Sequence, residues 1–314
     1  MACDLLVSGV LSADVVFTGL PEWPALGRDV RAGGLSVDAG SQFIVAAAAR
    51  RLGLEVGYCA VTGCDLWSMM VRERFAAERL TIEYLGEVDD PLVVSVVLNY
   101  AGDRGFVTHW SAIERIERLT AERTLAAIDA GAGRHLQMLL DETVGELAPA
   151  ARRRGLTVSV DTWMWEEWLR SERIWQLAAL ADILFTNELE ARAMTGEDDL
   201  HGALGRLGEA CPYVVVKRGP EGAVALLRGE LFESGTVPVE AVDATGAGDC
   251  FTAGFLYGYL RGLPSAACLS LGNICGGRSV TTAGGYQASP TETELLAEAE
   301  LRGLRLRPRH HGVQ

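Results

Sequence analysis

Lysine is almost missing from these 314 residues: Lys217 is the only one, and the surplus of acids leaves a formal net charge of −14. Without a basic surface, nucleic acid and anionic membranes are excluded as default partners. Without a Gly-Lys-Ser/Thr run there is no Walker A loop either. The cysteines at 3, 59, 64, 211, 250, 268 and 275 form no Cys-x-x-Cys pair, so they read as reduced core residues, not as a disulfide framework. There are five histidines: His310 and His311 stand together in the tail, but no His-x-x-x-His or acid set nearby makes a zinc site. No apolar run approaches the ~20 residues of a membrane span. Met1 to Gly9 lacks a basic stretch and carries acids around its apolar run, so it is not read as a signal peptide. The expectation is a cytoplasmic protein.

What is present is a 49% hydrophobic chain, enough to bury one large core, and a single domain over 1–314 is expected. Leu5 to Val10 reads as a buried strand. Val15 to Phe17 and Asp29 to Val37 read as hairpin pieces, as do Val93 to Leu98 and Phe106 to His109 around the turn residues 101–105. Ser41 to Leu52, closed by Gly53, reads as an alanine-rich helix. Beyond Arg115, candidates alternate: helix at Thr120 to Ala130, strand at His135 to Leu140, helix at Gly145 to Arg154, strand at Leu156 to Val160, helix around Trp165 to Ala179, strand at Asp182 to Phe185. Helix at Leu189 to Met194 and strands at Tyr213 to Lys217 and Ala223 to Leu227 follow. The alternation predicts an α/β fold, a mostly parallel central sheet with helices on both faces. The early hairpins, within 12–38 and 92–110, fall outside that pattern and fit a small β-lid.

The most informative segment is Val242-Asp243-Ala244-Thr245-Gly246-Ala247-Gly248-Asp249-Cys250-Phe251. Where a loop enters a helix, the first N–H groups lack intrahelical partners and the helix dipole is positive, so Gly246, Ala247 and Gly248 can close on an anion. Asp249 in the first turn is a favourable helix charge of only ~0.3–1 kcal/mol. With Asp243, Thr245 and an Ala/Gly-rich face alongside, it reads instead as a general base beside that anion. A dinucleotide fingerprint is excluded, because the sixth position counted from Gly246 is Phe251.

This segment resembles the second signature of the ribokinase-like (PfkB) carbohydrate kinases. The resemblance implies that Asp249 deprotonates a sugar hydroxyl while the amides of Gly246, Ala247 and Gly248 form the anion hole for a phosphoryl group delivered by ATP with Mg2+. It runs through almost the whole chain and is strongest from Thr186 to Pro290. Asn187 and Glu190, which read alone as an ordinary N-cap arrangement, match the family's Asn-x-x-Glu motif, which implies contact with magnesium and phosphate through water. Lys217, Gly219 and Gly222 read as a plain hairpin or, by resemblance, as residues bordering the nucleotide. Asn273, a helix polar group, matches a nucleotide-contacting asparagine. Asp243 and Thr245, with Val280, Ala283, Gly285 and Ser289, match positions that hold a monovalent cation in potassium-dependent members. On the acceptor side the resemblance implies Asp14, otherwise a turn former, as a hydroxyl acceptor, with Ser12 and Gly40 beside it. It also implies pairing of two copies through the lid.

The first signature departs from the family. Ala39-Gly40-Ser41-Gln42-Phe43-Ile44 precedes the alanine-rich helix, and Ile44 replaces an asparagine that bonds sugar hydroxyls; an unpaired buried hydroxyl there costs ~1–3 kcal/mol. Trp163 likewise stands at the asparagine of an Asp-x-Asn-x-Arg pattern beginning at Asp161. Trp110, Tyr100 and His109 read as core aromatics or as stacking surfaces for a sugar face or a base. The expected function is ATP-dependent phosphorylation of a hydroxyl on a sugar or sugar-like substrate. The alternatives are a nucleoside kinase of the same fold and a catalytically idle sugar- or nucleotide-binding protein.

Overall fold

The computed structural model describes residues 3–81, 84–110, 112–163, 165–236 and 238–306. The end of the tail, with His310 and His311, lies outside the described residues. In chain order, β1 (Leu5–Ser8) stops short of the expected Val10, and after Gly9 the chain enters β2 (Leu11–Thr18), β3 (Gly34–Ser41) and α1 (Gln42–Arg51). There follow β4 (Val56–Thr62), α2 (Leu66–Ala77), β5 (Leu85–Glu87), β6 (Val93–Tyr100), β7 (Asp103–His109) and α3 (Ile113–Asp129). The rest comprises β8 (His135–Leu139), α4 (Val144–Arg153), β9 (Thr157–Asp161), α5 (Glu166–Leu169), α6 (Glu172–Ala178), β10 (Ile183–Asn187), α7 (Glu188–Thr195), α8 (Leu200–Ala210), β11 (Tyr213–Lys217), β12 (Ala223–Leu227), β13 (Glu230–Ser234), α9 (Ala247–Leu260), α10 (Ser265–Ser279) and α11 (Glu292–Leu301).

The main sheet runs β13-β12-β11-β10-β9-β8-β1-β4-β5 among the described residues. From β5 to β11 every pairing is parallel, and all of these strands but the short β5 are largely buried, as helices on both faces require. The expected parallel pattern ends at β11. β12 pairs antiparallel with β11, because the tight turn at Gly219–Glu221 is too short for a crossover, and β13 in turn pairs antiparallel with β12. The second sheet, β3-β2-β6-β7, forms the lid.

Local chemistry explains where expected boundaries moved. The helix expected over 165–179 is two, α5 and α6, because Ser171 caps a new start by accepting from Ile174 N–H at 3.4 Å. α3 begins at Ile113, ahead of Thr120. The small-residue face of α9 packs on α10: a side chain at Gly254 would fall 2.7 Å from Cys275 Sγ and Leu271 O. One core lies on the α1, α9 and α10 side of the sheet, with Phe43, Phe185 and Phe255. The other holds Leu136, Leu147, Leu184 and Leu207 under α4 and α8. No helix among the described residues is long and apolar enough to cross a membrane.

Candidate active site

The carboxyl ends of β9, β10 and β11, the N-terminus of α9 and the lid converge on one cleft, the usual ligand position of an open parallel sheet. Gly246 starts α9 in the left-handed region with φ 73°, and no side chain caps the helix. Among the described residues, the N–H groups of Gly246, Gly248 and Asp249 have no backbone partner, whereas Ala247 N–H donates to Ala244 O at 3.3 Å. Three donors are therefore open and one is loosely engaged. A side chain at Gly246 would meet Gly285 Cα, Gly285 O and Ile44 Cδ1, each at 3.0 Å. Ile44 is thus buried beneath the loop that enters α9 and packs against it.

Asp249 occupies the first turn of α9 and is half-buried. Desolvation, then the negative charge of Asp161, push its carboxyl up to about 7, while Lys217 and Arg104 oppose the shift. Across the cleft, Asp14 on β2 accepts from Ser12 Oγ at 2.9 Å. Burial raises Asp14 to about 6, against that hydrogen bond and with help from Asp38 and Asp243. Gly40, on the neighbouring strand β3, makes the room for this carboxylate and offers no side chain of its own to a substrate: a Cβ there would lie 2.1 Å from Asp14 Oδ2.

Lys217 does not hang free over the cleft as a phosphate ligand would. Its Nζ donates to both carboxylate oxygens of Asp161, at 2.8 and 2.7 Å, and Thr252 Oγ1 of α9 donates to the same carboxylate at 2.8 Å. Register explains the reach. Asp161, Phe185 and Val215 are aligned across β9, β10 and β11, so Lys217, two residues on, points to the same face and passes Phe185 with Nζ 6.0 Å from the ring centroid.

Asn187 and Glu190 form a complete capping box on α7, with Glu190 N–H donating to Asn187 Oδ1 at 2.9 Å and Asn187 N–H to Glu190 Oε2 at 3.2 Å. Thr162 Oγ1 also donates to Oε2, at 2.5 Å, so the buried carboxylate is held rigidly at the strand ends. Asn273 spends its amide protons on Ser234 O at 2.7 Å and Gly235 O at 3.4 Å, which makes it a brace for the end of β13. Gly222 borders the same turn, since a Cβ there would lie 2.1 Å from Ser234 O. Gly219 begins the tight turn, with open space around it.

Buried Asp243 organises the loop before the helix. It accepts from Thr245 N–H at 2.9 Å, Gly284 N–H at 3.2 Å and, from the lid, Asn99 Nδ2 at 3.2 Å. Arg104, also on the lid, donates to Ala244 O at 3.2 Å. Of the residues matched to a cation site, Thr245 Oγ1 and Ser289 Oγ are buried without a hydrogen-bond partner. Val280 O departs from that set, because it already accepts from Val242 N–H at 2.8 Å and Asp243 N–H at 3.2 Å, filling both of its lone pairs. Ala283 and Gly285 lie in the same loop, Gly285 with φ 71°.

Asp161, Thr252, Asn99 and Arg104 reach this region only in the folded chain and are not among the residues that the sequence motifs mark for the site. A strand-terminal acid in a chain with one lysine was the available signal for the first; the lid contacts left none.

Residues 37–292 match the pfkB family of carbohydrate kinases. The chain belongs to that family. It is 28% identical to a fructokinase of Klebsiella pneumoniae over 283 residues, covering 83% of this chain and 91% of that protein. It is 38% identical to a cytidine kinase of Thermococcus kodakarensis over 128 residues, 38% of this chain and 46% of that protein. The fold is similar to that of Arabidopsis thaliana ribokinase complexed with ribose and ATP, with a TM-score of 0.78 at 21% identity, covering 95% of this chain and 98% of that one. The protein is accordingly a kinase that phosphorylates a sugar or nucleoside hydroxyl with ATP.

Proposed function

We propose that Asp249 takes the proton from the acceptor hydroxyl as it attacks the γ-phosphorus of ATP, while the N–H groups of Gly246, Ala247 and Gly248 hold the phosphoryl oxygens. The observation that carries this reading is the juxtaposition of a carboxylate raised to about 7 with open main-chain donors at one helix terminus. Asp14, set by Ser12 and given space by Gly40, orients the acceptor by taking its hydroxyl protons. Glu190 would hold, through water, a magnesium ion whose chemistry is to neutralise the nucleotide phosphates; a rigid carboxylate suits that hard cation. Gly219 and Gly222 border the nucleotide, with Asn187 and Asn273 fixing the backbone around it. The lid closes over the cleft through Asn99 and Arg104 and keeps out water that would otherwise accept the phosphate.

Two orphaned hydroxyls, on Thr245 and Ser289, support a monovalent cation held by Asp243, Thr245, Ala283, Gly285 and Ser289. Exposed Leu35, Phe106 and Val107 on the lid's edge strands support pairing of two copies there. The expected site of action is the cytoplasm.

A nucleoside acceptor is favoured by one specific observation. Trp163 packs 5.8 Å from Trp110 of the lid end and 6.0 Å from Trp165, and its Nε1 is buried with no partner. An aromatic wall with a spare donor suits a base better than a second sugar hydroxyl. ADP release from Mg-ATP, measured with pentoses, hexoses, keto-sugar acids and nucleosides in parallel, decides the acceptor. Turnover with no member of the panel would instead support a binding protein.

A further inference from the structure

The pair formed by Asp161 and Lys217 has no part in the roles assigned so far, although it stands at the floor of the anion hole. Its side chains are only 5% and 15% exposed. A Cβ placed on Gly248 would come 3.3 Å from Lys217 Nζ, so the ammonium lies directly under that glycine. Thr252, one helical turn along α9, ties Asp161 to the helix that carries Asp249. Desolvating two charges is costly, and burial of such a pair is weak evidence of a stabilising role.

We propose that Asp161 and Lys217 are positioning residues for phosphoryl transfer, a counter-charge unit that acts through Asp249 and the backbone of Gly248 and does not bind the nucleotide. The inference rests on Asp249 being the base. The charges that face Asp249 are Asp161 from β9, Lys217 from β11, Arg104 from the lid and Asp14 from β2, and its own charge is felt by Tyr58 of β4 and the neighbouring Cys250. Asp161 favours the protonated base and Lys217 the ionised one. Together the two oppose one another; separately each moves the base in its own direction.

The test is the pH profile of kcat for the full chain, with its best acceptor, in the wild type, Lys217→Met, Asp161→Asn and the double variant. Loss of Lys217 should move the acid limb up by about one pH unit and loss of Asp161 should move it down by about as much, with the double variant returning close to wild type. Mg-ATP dissociation constants, read by tryptophan fluorescence, should stay within about threefold throughout, since a lost charge-assisted ligand would cost more than about tenfold. Weakened nucleotide binding with an unmoved limb would make Lys217 a nucleotide ligand and overturn the proposal. So would single variants that shift the limb in the same direction. Should a lone buried charge prevent folding of a single variant, the double variant, which buries neither charge, still decides: it should fold and keep both its acid limb and its nucleotide affinity, and loss of that affinity refutes the idea. An Asp249→Asn enzyme that still turns over would remove the base assignment itself, and this inference with it.

Discussion

Asp14 stands in the space that a side chain on Gly40 would occupy: the carboxylate oxygens lie 2.1 and 2.2 Å from where that Cβ would be. Two strands paired through Ser12 and Gly40 therefore give the lid the Asp14 carboxylate only because Gly40 has no side chain. Gly40→Ala should displace Asp14 and raise KM for the acceptor roughly 5- to 150-fold, the cost of one lost buried hydrogen bond. Mg-ATP KM should be unchanged, and a parallel rise in both constants would show that the lid as a whole had moved.

Asp249→Asn should lower kcat by about 10²–10⁴-fold, the ordinary contribution of a general base, with nucleotide affinity retained. The same variant carries a stability signature. A carboxyl raised from 3.8 to about 7 in the folded state binds its proton more tightly there than in the unfolded chain, so stability falls as pH rises from about 4 and levels off above about 7. Asparagine escapes that loss. Thermal melts should place the variant above wild type at pH 8 and level with it at pH 4.

Gly246→Ala introduces a side chain at φ 73° and into contact with Gly285 and Ile44 at 3.0 Å. The open N–H groups should swing out of line, lowering kcat about 10²- to 10³-fold as loss of an oxyanion donor does. Steady-state kinetics with saturating ATP would reveal it; an unaltered kcat would mean that the amides hold nothing.

Replacing sodium with potassium at constant ionic strength should increase kcat. Ser289→Ala should abolish that difference, because the variant removes a buried oxygen that has no partner within the protein. Equal rates in both salts for the wild type would refute the cation site.

The loop entering α9 is legible in the sequence because its residues are contiguous. Gly246, Ala247 and Gly248 offer backbone groups and Asp249 a side-chain carboxylate at one helix start, and the residues beside them already display the helix. Glu190 is legible as far as its spacing from Asn187 goes, since a capping box is a local device; that the same oxygen also serves Thr162, 28 positions away, is not. The single helix expected over 165–179 failed at Ser171, where a capping hydroxyl outweighed continuous helical propensity. The antiparallel step from β11 to β12 is legible as the hairpin read at Lys217, Gly219 and Gly222, whereas β13 is not, because its five residues are largely exposed and carry no buried apolar run.

By itself the amino-acid order determined the layered α/β architecture, through buried apolar strands alternating with helices, and the family chemistry of one loop, through glycines and an acid at a helix mouth. Tertiary structure alone decided that Lys217 meets Asp161 across 56 positions, that Ile44 packs against Gly246 and Gly285, and that Asn99 and Arg104 bring the lid onto Asp243 and Ala244. Those contacts depend on strand register and helix docking. Such placements are set by the packing of the whole core, and no run of neighbouring residues encodes them.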